Sequence, residues 1–370
     1  MMPYLKKIVI QDFRNILLQE LDFSPNINCI SGGNGAGKTN LLEAVYYLSM
    51  TRSILSGGDH FNFRSGCRRF ALSGSYGQEN GGGFRISVQV EEGGEKKLRR
   101  DDKAYGRISD HIGLVPVVPV SPADSALVSE SGEERRRFAN AVLSQMDAAY
   151  LGDMQQYNKL LAQRNRLLKD AACDELLLDT FDDRLSDCAG RIFEIRRCFT
   201  DDLLPVVQQY YGRISGGSEQ IAIRYESDLA KRDFRSTLRD NHARDRAYGH
   251  TTAGIHRDDF AFSLDGRPLR KCGSQGQQKS FLVALKFAQY DLMKARYGFA
   301  PILLLDDLFD KLDISRTGHL LEMVAGSDFG QIFISDTDKA RTMEIVEKIT
   351  ADRSFFEASA GTFTRIDGYE

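Results

Sequence analysis

No run of 18 apolar residues occurs in the 370-residue chain, so no helix is expected to span a bilayer and no membrane partner is expected. The opening MMPYLKKIVIQDF lacks the apolar stretch and small-residue cleavage site of a signal peptide. Cysteine is sparse: Cys29, Cys67, Cys173, Cys188, Cys198 and Cys272 include no C-x-x-C pair. That spacing supports neither a zinc site nor a disulfide framework and fits a reducing cytoplasm. An excess of positive charge is also missing. The net charge of −3 excludes a chain coated in basic residues but leaves local basic patches, on which phosphate binding depends. We find no internal repeat and no low-complexity segment.

What is present is an ordinary globular composition, 42% hydrophobic and 27% charged, long enough for one large or two ordinary domains. Tyr4 to Asp12 reads as a strand, and Ile27 to Ile30 reads as a second one running into CISGGNGAGKTN. After it, Leu41, Leu42, Val45 and Leu48 recur at helical spacing. Gly32-x4-Gly37-Lys38-Thr39 therefore stands between a strand and a helix, the setting of a phosphate-binding loop. Glycine lets successive N–H groups turn inward around phosphate oxygens, and the helix start adds unpaired donors. Residues Gly32, Gly33, Asn34, Gly35, Ala36, Gly37, Lys38, Thr39 and Asn40 are thus expected to bind a nucleotide. Lys38 would bridge the β- and γ-phosphates of ATP, and Thr39 would hold Mg²⁺.

A β-rich region from about residue 70 to 120 gives way to a stretch almost without turn residues, about 124 to 209. In it Tyr157, Leu160, Leu161, Arg164 and Leu168 form one helical stripe, and Phe181, Leu185, Cys188, Ile192 and Ile195 a second. The stretch reads as a helical lobe inserted in an α/β domain and too short for a long coiled-coil arm. Beyond Gly249 the α/β character returns. PILLL and QIFIS read as buried strands and FFEASAGTFTRI as a closing hairpin. We expect an α/β head formed by residues 1–120 and 246–370, with residues 121–245 as the inserted lobe.

The strand Ile302 to Leu305 ends in Asp306 and Asp307, where a carboxylate can hold Mg²⁺ through water (Asp306) and a second can act as base beside the γ-phosphate (Asp307). Upstream, Ser274-Gln275-Gly276-Gln277 precedes a helix with Leu282, Leu285, Phe287 and Ala288 at its core. A serine there also suits a plain helix N-cap.

Together these three pieces resemble the ABC-type ATPase head, whose signature sequence reaches the γ-phosphate held by a second subunit. Longer blocks narrow the likeness. LKKIVIQDFRNILLQELDFSPNINCISGGNGAGKTNLLEAVYYLS, SPADSALVSESGEERRRFANAVLSQMDAAYL, YNKLLAQRNRLLK, GIHRDD, GSQGQQKS and LLLDDLFDKLD are collinear and resemble the bacterial RecF recombination proteins. The resemblance implies a P-loop ABC-type ATPase head with mixed sheets and an inserted, mostly helical lobe. It also implies a weak, DNA-dependent ATPase that binds ATP and Mg²⁺ and forms an ATP-dependent homodimer on double-stranded DNA at gaps or junctions. RecR and RecO are its implied partners in directing RecA. By the same likeness, Arg14 and Asn15 lie near the nucleotide. Ser274, Gln275, Gly276 and Gln277 form the signature acting across the dimer, and Asp313 lies in a loop facing the partner subunit.

The chain departs from the family pattern at Ile255 before His256, at Val120 before SPAD, and after Arg52-Ser53, where a basic residue often follows. Basic DNA candidates are Arg52, Arg64 and Arg68, with Arg69, Arg135 to Arg137 and Lys96 to Arg100 as charge runs that also suit a solvated face. A nucleotide-gated scaffold without meaningful turnover uses the same residues. A transporter-type ABC subunit shares the P-loop but keeps a histidine near Thr337 that this chain lacks.

Overall fold

The computed structural model describes residues 3–54, 57–78, 81–170, 175–217, 219–307 and 329–366. Two compact units result, one formed by residues 1–124 with 289–370 and the other by residues 125–288.

In the first unit an antiparallel sheet is built from β1 (Pro3–Phe13), β2 (Ile16–Asp22), β4 (Arg69–Gln78), β5 (Gly83–Glu91), β6 (Lys97–Arg100) and β7 (Lys103–Ala104), in the order β2-β1-β4-β5-β6-β7. Alternation decides its inner face. Phe84, Ile86, Val88 and Val90 of β5 are buried, and the residues between them are less so. A second sheet runs β15-β14-β3-β13-β12-β8, from β3 (Ile27–Ser31), β8 (Val117–Val120), β12 (Ile302–Asp306), β13 (Ile332–Asp336), β14 (Arg353–Ser359) and β15 (Thr362–Ile366). Its strands are parallel except β15, which closes a hairpin with β14. Every residue of β3, β12 and β13 is buried, as expected of parallel strands covered on both faces.

Helix α1 (Lys38–Met50) is buried on nearly all sides. Leu41, Leu42, Val45 and Leu48 share one core with Ile8, Leu72 and Ile86 of the first sheet and with Ile30, Leu304 and Phe333 of the second. A helix enclosed this way explains why its sequence is apolar beyond a single stripe.

The second unit holds α2 (Ala126–Ser129), α3 (Gly132–Met146), α4 (Ala148–Leu168), α5 (Glu175–Ser215), the short helices α6 (Phe234–Asp240), α7 (His242–Tyr248) and α8 (Leu269–Cys272), and a three-stranded antiparallel sheet, β11-β10-β9, from β9 (Ile221–Glu226), β10 (Asp259–Leu264) and β11 (Arg267–Pro268). Helices α4 and α5 are antiparallel: Arg164 meets Asp182, and Asp153 meets Arg191. Both predicted stripes supply buried residues, among them Tyr157, Leu160 and Leu168 in α4 and Leu185, Cys188 and Ile192 in α5. The expected lobe ended at residue 245, whereas the compact unit continues to 288. The reason is that β10 takes its hydrogen bonds from β9, so the residues after 245 belong to the sheet that completes the lobe. Helix α9 (Gln275–Tyr297) begins in this unit and ends in the first.

Candidate nucleotide site

Parallel strands gather ligand-binding groups at their carboxyl ends, and three strands do so here. β3 runs directly into the glycine loop, β12 ends at Asp306, and β13 ends at Asp336. Because β13 lies between β3 and β12, the loop and Asp306 flank it. Thr39 Oγ1 lies 3.1 and 2.9 Å from the two carboxylate oxygens of Asp306. The Ser335 hydroxyl of β13 donates to Asp306 Oδ1. A hydroxyl and a carboxylate, both hard oxygen donors, therefore converge at the start of α1, which suits Mg²⁺.

Lys38 is 4% exposed. Its ammonium donates to the carbonyls of Gly32 and Gly33 at 2.9 and 3.3 Å, so the positive charge sits at the centre of the loop. Gly37 has φ 111, and a Cβ there would lie 2.9 Å from the Asn15 side chain, so both backbone and space demand glycine. Gly32, at φ 156, has no room for a Cβ because the Ala358 carbonyl of β14 packs against it. The β14–β15 turn supports the loop from the same side, with the Gly361 N–H donating to the Ala36 carbonyl at 2.8 Å.

Asn15 accepts a hydrogen bond from Asn40 Nδ2 at 2.8 Å, which places it over the loop. Arg14 turns elsewhere, 3.7 Å from Glu43 and donating to Ser53 Oγ at 3.2 Å. Asp307 has φ 44, an uncommon conformation for a residue with a side chain. Its N–H donates to the carbonyl and hydroxyl oxygens of Ser335, each at 3.2 Å. Ser335, Ala358 and Gly361 escaped sequence reasoning. Ser335 ends the quoted QIFIS, but nothing in one sequence pairs it with Asp306.

Solved relatives and curated sequences agree on the family. Residues 7–178 match the AAA domain. The DNA replication and repair protein RecF of Bacteroides fragilis is 40% identical over 367 residues, covering 99% of this chain and 99% of its own. That of Flavobacterium johnsoniae is 40% identical over 348 residues, covering 93% of this chain and 97% of its own. The chain belongs to the RecF family. The structure of the recombination mediator protein RecF with ATP superposes with a TM-score of 0.90 at 28% identity, covering 99% of this chain and 98% of that one. An SMC head domain from Pyrococcus furiosus superposes at 0.57 with 14% identity over 99% of this chain and 96% of that chain, a likeness of fold alone. The RecF fold is thus a P-loop ABC-type ATPase head with an inserted, mostly helical lobe.

Other RecF-like motifs lie in the second unit. Ser274 caps α9: its Oγ accepts from the Gln277 N–H at 3.2 Å while its own N–H donates to Gln277 Oε1 at 2.7 Å, a reciprocal capping box. Gln277 Nε2 also donates to Glu219 at 2.6 Å. Ser274 and Gln275 are exposed and Gly276 is half-buried. The capping bond uses the serine oxygen as an acceptor, which leaves its O–H free to donate outward.

The motif GIHRDD is internal to its unit. His256 Nδ1 lies 2.7 Å from the Tyr157 hydroxyl, and burial pushes its pKa down to about 4. Asp258 pairs with Arg196 at 3.2 Å. Asp259 takes Arg135 through both oxygens at 2.7 and 2.8 Å, and Arg137 pairs with Glu133 and Glu134. Local acids therefore absorb much of that basic run. In the first unit Arg52 is exposed, Arg64 is half-buried, and Arg68 is exposed with Glu92 3.5 Å away. Asp313 lies outside the described residues.

Proposed function

We propose that the chain is an ATP-dependent DNA-binding protein of recombinational gap repair, working as a homodimer that sandwiches ATP and closes on double-stranded DNA near single-strand/double-strand junctions. The observation that carries this reading is the convergence of Lys38, Thr39 and Asp306 at the carboxyl ends of β3 and β12, within a chain of the RecF family. The inward-turned loop amides and Lys38 would bind the β- and γ-phosphates. Thr39 and Asp306 would hold Mg²⁺, which neutralises phosphate charge and orients the triphosphate. Asp307 is the candidate base for a slow, DNA-stimulated hydrolysis.

Ser274 to Gln277 of one copy would meet the γ-phosphate held by the other, and Asp313 would lie in a loop facing the partner. A ligand shifts an equilibrium only by its differential affinity for the closed state. Contacts made across the sandwich supply that difference, and hydrolysis removes it. Arg52, Arg64 and Arg68 would grip phosphates without reading bases, so binding falls with salt. By family likeness the partners are RecR and RecO, the task is to direct RecA onto gapped DNA, and the place is the cytoplasm. No described helix is long and apolar enough to cross a membrane. A second reading, a nucleotide-gated scaffold with negligible turnover, draws on Asp307, whose carboxylate reaches less far than that of a glutamate.

Light scattering with Mg-ATP, with Mg-ADP and without nucleotide, each with and without duplex, tests the proposal. A dimer with Mg-ATP alone is expected, and a monomer under every condition would refute it. Single-turnover hydrolysis with and without duplex separates the two readings.

A further inference from the structure

Glu43 lies within α1 and is 1% exposed. A buried carboxylate requires partners, and these come from two segments outside the helix. The Ile54 N–H donates to Glu43 Oε1 at 2.8 Å, and the Ser53 hydroxyl donates to the same oxygen. The Arg14 guanidinium approaches from the β1–β2 turn at 3.7 Å and also bonds Ser53. One carboxylate thus ties the end of β1 to the segment that follows α1.

The position along α1 gives this knot its meaning. Thr39 precedes Glu43 by four residues, so both lie on one face of the helix. Thr39, Glu43, Ile54, Ser121 and Asp306 line one cavity. Three residues after Glu43, Tyr46 lies within electrostatic reach of the Arg52 guanidinium. A single helix therefore carries the Thr39 hydroxyl at one end and, through the bonds of Glu43 to Ser53 and Ile54, holds the segment that bears Arg52.

We propose that Glu43 is a positioning residue coupling the nucleotide at Lys38 and Thr39 to the DNA-binding segment at Arg52. The proposal rests on the assignment of ATP and duplex DNA made above. Nucleotide bound at Lys38 and Thr39 fixes the first turn of α1. Glu43 passes that constraint to Ser53 and Ile54, which sets the direction in which Arg52 is presented. A carboxylate that served only to neutralise Arg14 would leave nucleotide and DNA binding independent of the Ser53 contact.

The test is the affinity of the full chain for a fluorescent, non-hydrolysable ATP analogue with Mg²⁺, measured with and without saturating duplex. The ratio of the two affinities is the coupling factor, expected to be about fivefold or more in the unaltered protein. S53A breaks the knot from the loop side without touching α1. It should bring the factor to about 1–2, with nucleotide affinity in the absence of DNA changed by less than about threefold, well under the range of a lost charged contact. E43A should abolish coupling, whereas E43Q, which keeps an oxygen for Ser53 and Ile54, should retain more of it than E43A. An unaltered factor in S53A and E43A, beside a normal factor in the parent protein, overturns the role of Glu43 and leaves the proposed function standing. Absence of coupling in the parent protein at low salt overturns both. Should E43A fail to fold, S53A and E43Q decide.

Discussion

Thr39 Oγ1 and Asp306 Oδ2 stand 2.9 Å apart across 267 residues of sequence. The contact joins the first turn of α1 to the end of β12, and Ser335 of the intervening strand β13 holds the same carboxylate. Three elements far apart in the chain therefore present one set of oxygens beside one lysine.

Lys38→Ala removes the only positive side chain described within the glycine loop. Nucleotide affinity should fall by about 1.5–3 kcal/mol, the scale of hydrogen bonds to charged groups, or about 10- to 150-fold. Equilibrium titration with a fluorescent ATP analogue measures it. Unchanged affinity sinks the phosphate assignment.

Ser274→Arg keeps the lobe folded, because the residue is exposed and its capping bond contributes only about 1 kcal/mol. Nucleotide binding by the monomer should persist while ATP-driven dimerisation is lost. A dimer in light scattering with Mg-ATP would contradict a role for Ser274 across the interface.

Arg52→Glu should weaken duplex binding more than nucleotide binding, and the slope of log affinity against log salt should drop by at least about 1. A salt titration by fluorescence anisotropy checks this. An unaltered slope rules out Arg52 as a phosphate contact.

Arg164 is fully buried and holds Asp182 at 2.5 Å, Asp245 at 2.7 Å and Thr251 at 2.8 Å. Arg164→Ala strands two buried carboxylates and should cost about 3–5 kcal/mol. Denaturant unfolding measures the loss. A loss below about 1 kcal/mol, the worth of an exposed pair, would show that the network does not hold the lobe together.

His256 sets a pH dependence. Burial lowers its pKa from 6.5 to about 4, so the folded chain resists a proton that the unfolded chain accepts. The stabilisation is complete above about pH 6.5 and is lost as pH falls toward 4, up to about 3 kcal/mol at 1.36 kcal/mol per pH unit. The difference in melting temperature between the parent protein and His256→Gln should shrink across that window. A constant difference from pH 7 to pH 4.5 would contradict it.

How far the sequence could be read differs from residue to residue. Lys38 and Thr39 were legible because the phosphate-binding loop is a local motif, with glycines, lysine and threonine within eight positions. Asp306 was legible because an apolar run ending in acids marks a buried strand. The signature residues were legible only as a helix start, and Ser274 indeed caps α9. Other features were hidden because they depend on pairing between distant segments. β2 gave no clear signal, with Leu17 and Leu18 exposed on its edge. The lobe boundary moved because β10 pairs with β9, and strand pairing has no local spelling. Arg14 was placed by family likeness near the nucleotide, and the structure turns its guanidinium toward Glu43 and Ser53.

By itself, the sequence determined the groups available to this protein: a glycine-rich loop between strand and helix, a lysine and a threonine at the helix start, and acids at the end of a buried strand. Composition and short-range periodicity encode such things because they depend on neighbours within a few residues. Only the tertiary structure decided that β13 should stand between loop and acid, that Ser335 should steady Asp306, and that Glu43 should tie the end of β1 to the segment after α1. Those arrangements arise from burying one helix between two sheets, and burial is a property of the whole unit that no single stretch contains.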